Sequence, residues 1–92
     1  MKGNAPYSVL ISPSAWRELM NLPEQVQQQV IAVIESLESN ARPSGVVKLE
    51  GESELYRVRS GDYRVVYQID DAVLRVLIIK VANRREVYKK RR

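Results

Sequence analysis

The 92-residue chain is long enough for one domain, and no second composition regime marks a linker and another core. It holds neither cysteine nor histidine, which excludes disulfides, thiolate nucleophiles, cysteine-ligated zinc and iron–sulfur clusters, and removes the usual neutral-pH acid/base. Its net charge of +4 hides a split: residues 1–55 carry four basic and seven acidic side chains, residues 56–92 eleven basic and four acidic. A segregated positive field is the footprint of a polyanion binder, although the same cations also serve to keep a small protein soluble. No apolar run reaches about 18 residues and no signal-type stretch follows Met1-Lys2-Gly3-Asn4, so the sequence predicts a soluble, intracellular protein with no membrane contact.

Tyr7 to Ile11 is β-branched and aromatic and predicts a first strand. Ser12-Pro13 then reads as a helix cap followed by proline at the first helical position, and Trp16, Leu19 and Met20 recur at i, i+3 and i+4 as the apolar members of a short helix. Asn21-Leu22-Pro23 breaks that run and lets Pro23 open a second helix, whose stripe is Val26, Val30, Val33, Ile34 and Leu37. Asn40 to Gly45 is dense in turn formers and ends it. From there the period falls to two: Val46 to Leu49, Leu55 to Ser60, Tyr63 to Ile69 and Val73 to Val81 read as strands, separated in the last two cases by Gly61-Asp62 and Asp70-Asp71-Ala72. The order strand, helix hairpin, strands predicts a single α+β domain over 1–92, with both helices on one face of a largely antiparallel meander. Residues 89–92, all basic, read as a flexible tail.

If Gly61-Asp62 is a two-residue turn, Arg59 faces Arg64, Arg57 faces Val66 and Tyr56 faces Tyr67. Alternation then sends Tyr56, Val58, Val65 and Tyr67 to one face and Arg57, Arg59 and Arg64 to the other. Like charges directly opposite across a ladder are destabilising, so an Arg59–Arg64 pair breaks a local rule, as functional sites do. Three converging guanidiniums suit a phosphodiester, since each presents paired planar donors and stays charged. The alternative is an ordinary wet face whose arginines fan into solvent or pair with Glu50, Glu52 and Glu54. A second cluster, Asn83-Arg84-Arg85-Glu86-Val87-Tyr88, follows the last strand; Tyr88 there suits stacking on a base, orienting a ribose hydroxyl or relaying a proton, or simple packing.

The segments Lys48 to Gly51, Leu55 to Tyr67 and Ile79 to Tyr88 together resemble the RelE-type toxins of the RelE/ParE toxin–antitoxin superfamily. That resemblance covers nearly the whole chain. It implies a ribosome-dependent endoribonuclease that cleaves messenger RNA in the ribosomal A site, held in check by a RelB-like antitoxin, with operator DNA touched only through the antitoxin. It matches Arg57 and Arg59 to the family's basic pair before the hairpin turn, Arg64 to its arginine on the next strand, Arg84 to the arginine after the last strand and Tyr88 to the tyrosine beside the scissile nucleotide. Lys48, Arg85, Lys89 and Lys90 are expected to add RNA contacts. Two departures stand out: well-known members of the family carry lysines where this chain has Arg57 and Arg59, and many relatives read Gly-His where it has Ala82-Asn83. Arginine does not lose its proton, so a general-base role does not transfer to Arg57. With no histidine and no cysteine, the reading calls for neither metal nor cofactor. Its rivals are a ParE-like gyrase inhibitor on the same scaffold and a non-catalytic RNA-binding module.

Overall fold

The computed structural model describes residues 6–49, 51 and 54–83. Strand β1 (Ser8–Ile11) leads into helices α1 (Pro13–Met20) and α2 (Glu24–Ser36), followed by strands β2 (Val47–Lys48), β3 (Leu55–Ser60), β4 (Tyr63–Asp70) and β5 (Arg75–Asn83). The five strands form a sheet in the order β1-β5-β4-β3-β2, with β1 parallel to β5 and the other neighbours antiparallel. Helix α1 packs on β5 while α2 lies over β3 and β4, so one sheet face is covered and, among the described residues, no helix lies on the other, open face. This is the α+β arrangement expected from the order of elements.

Helix α1 starts where the sequence predicts because the Ser12 hydroxyl accepts the Ala15 amide at 3.1 Å and Pro13 occupies the first helical position. Pro23 stands at the cap of α2, one residue earlier than the first helical residue, Glu24, whose carboxylate suits the positive end of the helix dipole. The α2 stripe behaves as its spacing requires: Val30, Ile34 and Leu37 are buried, and Val26 and Val33 pack at the margin of the core. In α1 the stripe differs from expectation. Ala15 and Leu19 are fully buried, whereas Trp16 and Met20 remain 49% and 40% exposed. Two turns of helix lying along one strand bury a single i, i+4 line; Trp16 and Met20 form the next such line, about 100° around the cylinder.

The last strand also differs. The sequence pattern predicts it over Val73 to Val81, but Asp71 to Leu74 complete the reversal from β4, and β5 runs from Arg75 to Asn83. Leu74 takes a left-handed conformation (φ 53°) and Val73 is 54% exposed, so two residues with strand-like side chains serve the turn. Within β5 the pairing with β4 slips by one residue: Tyr67 faces Ile78 but Val66 faces Lys80, leaving Ile79 as a bulge. Before the bulge Val76 and Ile78 enter the core; beyond it Val81 does.

A core assembled from so few helical anchors makes Leu19 costly to truncate. Leu19→Ala is expected to lose about 3 kcal/mol, a fall in melting temperature of more than about 10 °C for a domain of this size, whereas Trp16→Ala should cost under about 1 kcal/mol. Thermal unfolding followed by circular dichroism measures both, and equal losses would contradict the burial described.

Candidate nucleic-acid interface

The β3–β4 hairpin turns on Gly61 and Asp62. Gly61 has φ 62°, the positive value required at the first central residue of a II′ turn, where a side chain is strained. The resulting register pairs Ser60 with Tyr63, Arg59 with Arg64, Val58 with Val65, Arg57 with Val66 and Tyr56 with Tyr67. Burial follows the same alternation: Tyr56, Val58, Val65 and Tyr67 are buried under the helices, while Arg59 is exposed and Arg57 and Arg64 are half-buried on the open face. Residues directly opposite stand about 5 Å apart at Cβ, and alternate residues along a strand about 6.6 Å apart. The three guanidinium stems therefore rise from one small patch at the hairpin end of the sheet.

On its other side Arg64 faces Ala82 of β5. Among the described residues, no carboxylate forms an ion pair with Arg57 or Arg59; the ion pairs found are Arg42–Asp71 and Lys80–Glu18. Glu54 therefore does not neutralise the cluster, and Glu50 and Glu52 lie outside the described residues. Lys48 is placed elsewhere: it pairs with Tyr56, so alternation sends it to the helix side, and Val47, opposite Arg57, takes the arginine side. Arg84, Arg85, Tyr88, Lys89 and Lys90 lie outside the described residues. At the far end of the open face a cleft lined by Glu54, Gln68, Asp70, Asp71 and Arg75 has the wrong charge for phosphate. Among the described residues no group of His, Cys, Asp or Glu side chains could hold a metal ion, and no helix is long and apolar enough to cross a membrane.

Two clusters that the sequence pattern did not single out hold this surface in place. In the first, Arg42 reaches from the turn after α2 to Asp71 through two bonds of 3.3 and 3.0 Å, and its Nε donates to the Tyr56 hydroxyl at 3.2 Å. Tyr7 donates to the same aspartate at 2.6 Å. The guanidinium sits 5.2 Å from the Tyr56 ring, which stacks on Tyr67 at 6.0 Å, and the buried Tyr67 hydroxyl donates to the Ala41 carbonyl at 2.8 Å. Hydrogen bonds from Arg42 and Tyr7 hold the Asp71 carboxyl below its ordinary range. Burial pushes the Tyr67 hydroxyl up to about 12. The cluster fastens the turn after α2 to β3, β4 and the β4–β5 reversal.

The second cluster closes the edge of β5. Strand β1 ends opposite Ile78, and the chain leaves into α1 with the Ser12 amide donating to the Ile78 carbonyl at 2.9 Å. Beyond that point, among the described residues, no strand pairs with β5 on this side. Glu18 of α1 substitutes for one: Oε1 accepts the Val81 amide at 2.8 Å and Oε2 accepts the Lys80 ammonium at 3.0 Å. The Ser12 hydroxyl donates to the carbonyl of the bulge residue Ile79 at 3.4 Å.

Two helices on one face of a mostly antiparallel sheet, with clustered arginines on the other, define a small α+β protein built to present cationic side chains on an open sheet. A family model described as the ParE toxin of type II toxin–antitoxin systems (parDE) matches residues 9–88. Toxin RelE of Mycobacterium tuberculosis is 38% identical over 90 residues, spanning 97% of this chain and 93% of that protein. The mRNA interferase toxin RelE of Escherichia coli is 36% identical over 78 residues, 79% of this chain and 77% of that one. Among solved structures, the archaeal RelE–RelB complex from Pyrococcus horikoshii superposes with a TM-score of 0.76 at 32% identity, covering 85% of this chain and 94% of that one. The chain belongs to the RelE/ParE family of type II toxin–antitoxin toxins, and within it to the RelE type.

Two consequences of the geometry are measurable on the purified protein. Removing one of the opposed cations by Arg59→Thr should stabilise the fold by a few tenths to about 1 kcal/mol, seen as a higher urea midpoint; a lower midpoint would mean that the opposed arginines do not repel. Tyr67 retains its proton in the folded state up to about 12, against 10.0 for the free side chain. Its folded pKa is raised, so its contribution is complete below pH 10 and is lost as the pH climbs from 10 through 12, where only the unfolded chain releases the proton. Tyr67→Phe should cost about 1 kcal/mol at pH 7 and flatten the fall in stability across that alkaline window.

Proposed function

We propose that this chain is a ribosome-dependent endoribonuclease that cleaves messenger RNA in the ribosomal A site and so arrests translation. The observation that supports it most directly is the placing of Arg59 opposite Arg64, with Arg57 two residues away on the same open face. A family likeness gives a fold; only the site gives chemistry. An mRNA interferase activity is carried in the name of the Escherichia coli relative, and the arginine patch is the feature of this chain suited to such a substrate.

Attack of a ribose 2′-hydroxyl on the neighbouring phosphate forms the O2′–P bond and breaks the P–O5′ bond; it requires in-line alignment, neutralisation of charge growing on the phosphoryl oxygens, removal of the 2′-hydroxyl proton and delivery of a proton to the departing 5′ oxygen. In this reading Arg57, Arg59 and Arg64 act as fixed charges and paired donors to the pentacoordinate phosphate. By the family resemblance, Arg84 is assigned to the leaving-group side and Tyr88 to stacking on or orienting the nucleotide. Arg85, Lys89 and Lys90 are assigned to the RNA backbone, whereas Lys48, sent to the helix side of the sheet, is not. The products are a 2′,3′-cyclic phosphate and a 5′-hydroxyl end, and no metal takes part. The whole chain acts as one domain in the cytoplasm.

The restraining partner is an antitoxin: solved RelE neighbours include complexes with RelB. A segment bearing carboxylates and apolar side chains would match the open face, where Arg57 lies between Val47 and Val66. Operator DNA is contacted through the antitoxin. A second reading, inhibition of DNA gyrase, is favoured by one observation, the ParE description of the matching family model.

Arg64→Ala should slow cleavage of ribosome-bound message by about 10² to 10³-fold, as for loss of one preorganised donor, with the circular dichroism spectrum unchanged. Primer extension on translated messages reads the cut sites, and parental cutting by the folded variant would end the assignment. Cleavage should persist in a chelator strong enough to strip transition metals. A supercoiling assay beside it decides the gyrase reading.

A further inference from the structure

Strand β5 carries a burden that its neighbours cannot meet by ordinary pairing. It is nine residues long, but β1 accompanies only its first four, Arg75 to Ile78. The slip at Ile79 comes immediately after that support ends. A bulged strand end flanked by a strand on one side only is where a sheet frays. Yet this end borders the arginine patch: Ala82 faces Arg64, and Arg84 follows Asn83 in the sequence.

We propose that Glu18 is a positioning residue for the nuclease site, acting through the backbone of β5. The reading rests on the proposed cleavage activity and adds a residue whose carboxylate is bonded, among the described residues, to Lys80 and the Val81 amide rather than to Arg57, Arg59 or Arg64. Its carboxylate does two things at once. Oε1 takes the Val81 amide at 2.8 Å, fixing the strand one residue before the one that faces Arg64, and Oε2 takes the Lys80 ammonium at 3.0 Å. Ser12 supports the adjoining bulge through the Ile79 carbonyl. Helix α1 thereby replaces the strand that β1 ceases to be, and the anchor for α1 is the fully buried Leu19 next to Glu18 in sequence. In an in-line displacement small misplacements of a charged donor are costly, so a frayed β5 end would slow the chemical step more than it would weaken binding.

Reach and charge can be separated by substitution. Glu18→Gln keeps the length and the acceptor oxygen for the Val81 amide and loses the charge; Glu18→Asp keeps the charge and falls one methylene short; Glu18→Ala loses both. Amide exchange at Val81, read by NMR, should stay slow in the parental protein and in Glu18→Gln and quicken at least about tenfold in Glu18→Asp and Glu18→Ala. Single-turnover cleavage of ribosome-bound message should follow the same order: Glu18→Gln within about threefold of the parental maximal rate, the other two at least about tenfold lower, with half-saturating toxin concentration little changed. Parental rates in Glu18→Asp and Glu18→Ala overturn the proposal, as does a loss in Glu18→Gln equal to that in Glu18→Ala, or a loss confined to half-saturation. If the parental protein cuts no message at all, the cleavage reading is what fails; the exchange arm still decides whether Glu18 holds the strand. Should Glu18→Ala not fold, Glu18→Asp against Glu18→Gln makes the same comparison.

Discussion

The constraint on which the structure depends is the register of β3 against β4. A two-residue turn at Gly61-Asp62 fixes it, and period-two alternation then assigns every side chain of both strands to a face. The same step that buries Tyr56, Val58, Val65 and Tyr67 under the helices gathers Arg57, Arg59 and Arg64 on the open side. A slip of one residue would send the valines and tyrosines to water and the arginines into the core, so core burial enforces the geometry of the patch. The repulsion between opposed arginines is tolerated because the buried side chains of the hairpin leave no competing register.

Around that hairpin the remaining elements act mainly as braces. Arg42 and Asp71 tie the turn after α2 to the β4–β5 reversal, and the Tyr56–Tyr67 stack joins that tie to the two central strands. On the opposite flank α1 closes the free edge of β5 through Glu18 and Ser12. Both braces join residues far apart in sequence by directional polar bonds, and both act at ends of strands, where pairing alone is weakest. The proposed cleavage would place its demands on the end of the sheet that carries Arg59, Arg64 and Ala82.

How much of this could be read beforehand follows from the range of each interaction. The hairpin was legible because a Gly-Asp pair between alternating runs determines turn and register locally. The α2 stripe was legible because its period is sustained over several turns. In α1 the periodicity singles out Trp16, Leu19 and Met20 alike, but only contact with β5 decides that Ala15 and Leu19 face inward. Val73 has a strand-like side chain, yet the chain needs Val73 and Leu74 to complete its reversal. The face of Lys48 depends on its pairing with Tyr56, and the bulge at Ile79 on where β1 stops, neither of which has a local signature. Arg42–Asp71 and Glu18–Lys80 span 29 and 62 residues, so each partner read alone is an ordinary surface charge.

The opposed pair Arg59–Arg64 also sets how the molecule responds to ionic strength. Added salt screens their mutual repulsion and should tighten the hairpin. The same salt weakens attraction between a cationic patch and a phosphate backbone, because each counterion released into a more concentrated solution gains less entropy. Folding and attraction for a polyanion thus respond in opposite directions to one variable: dilute buffer, which lets the two opposed cations repel most, is also where a cationic patch attracts a polyanion most strongly.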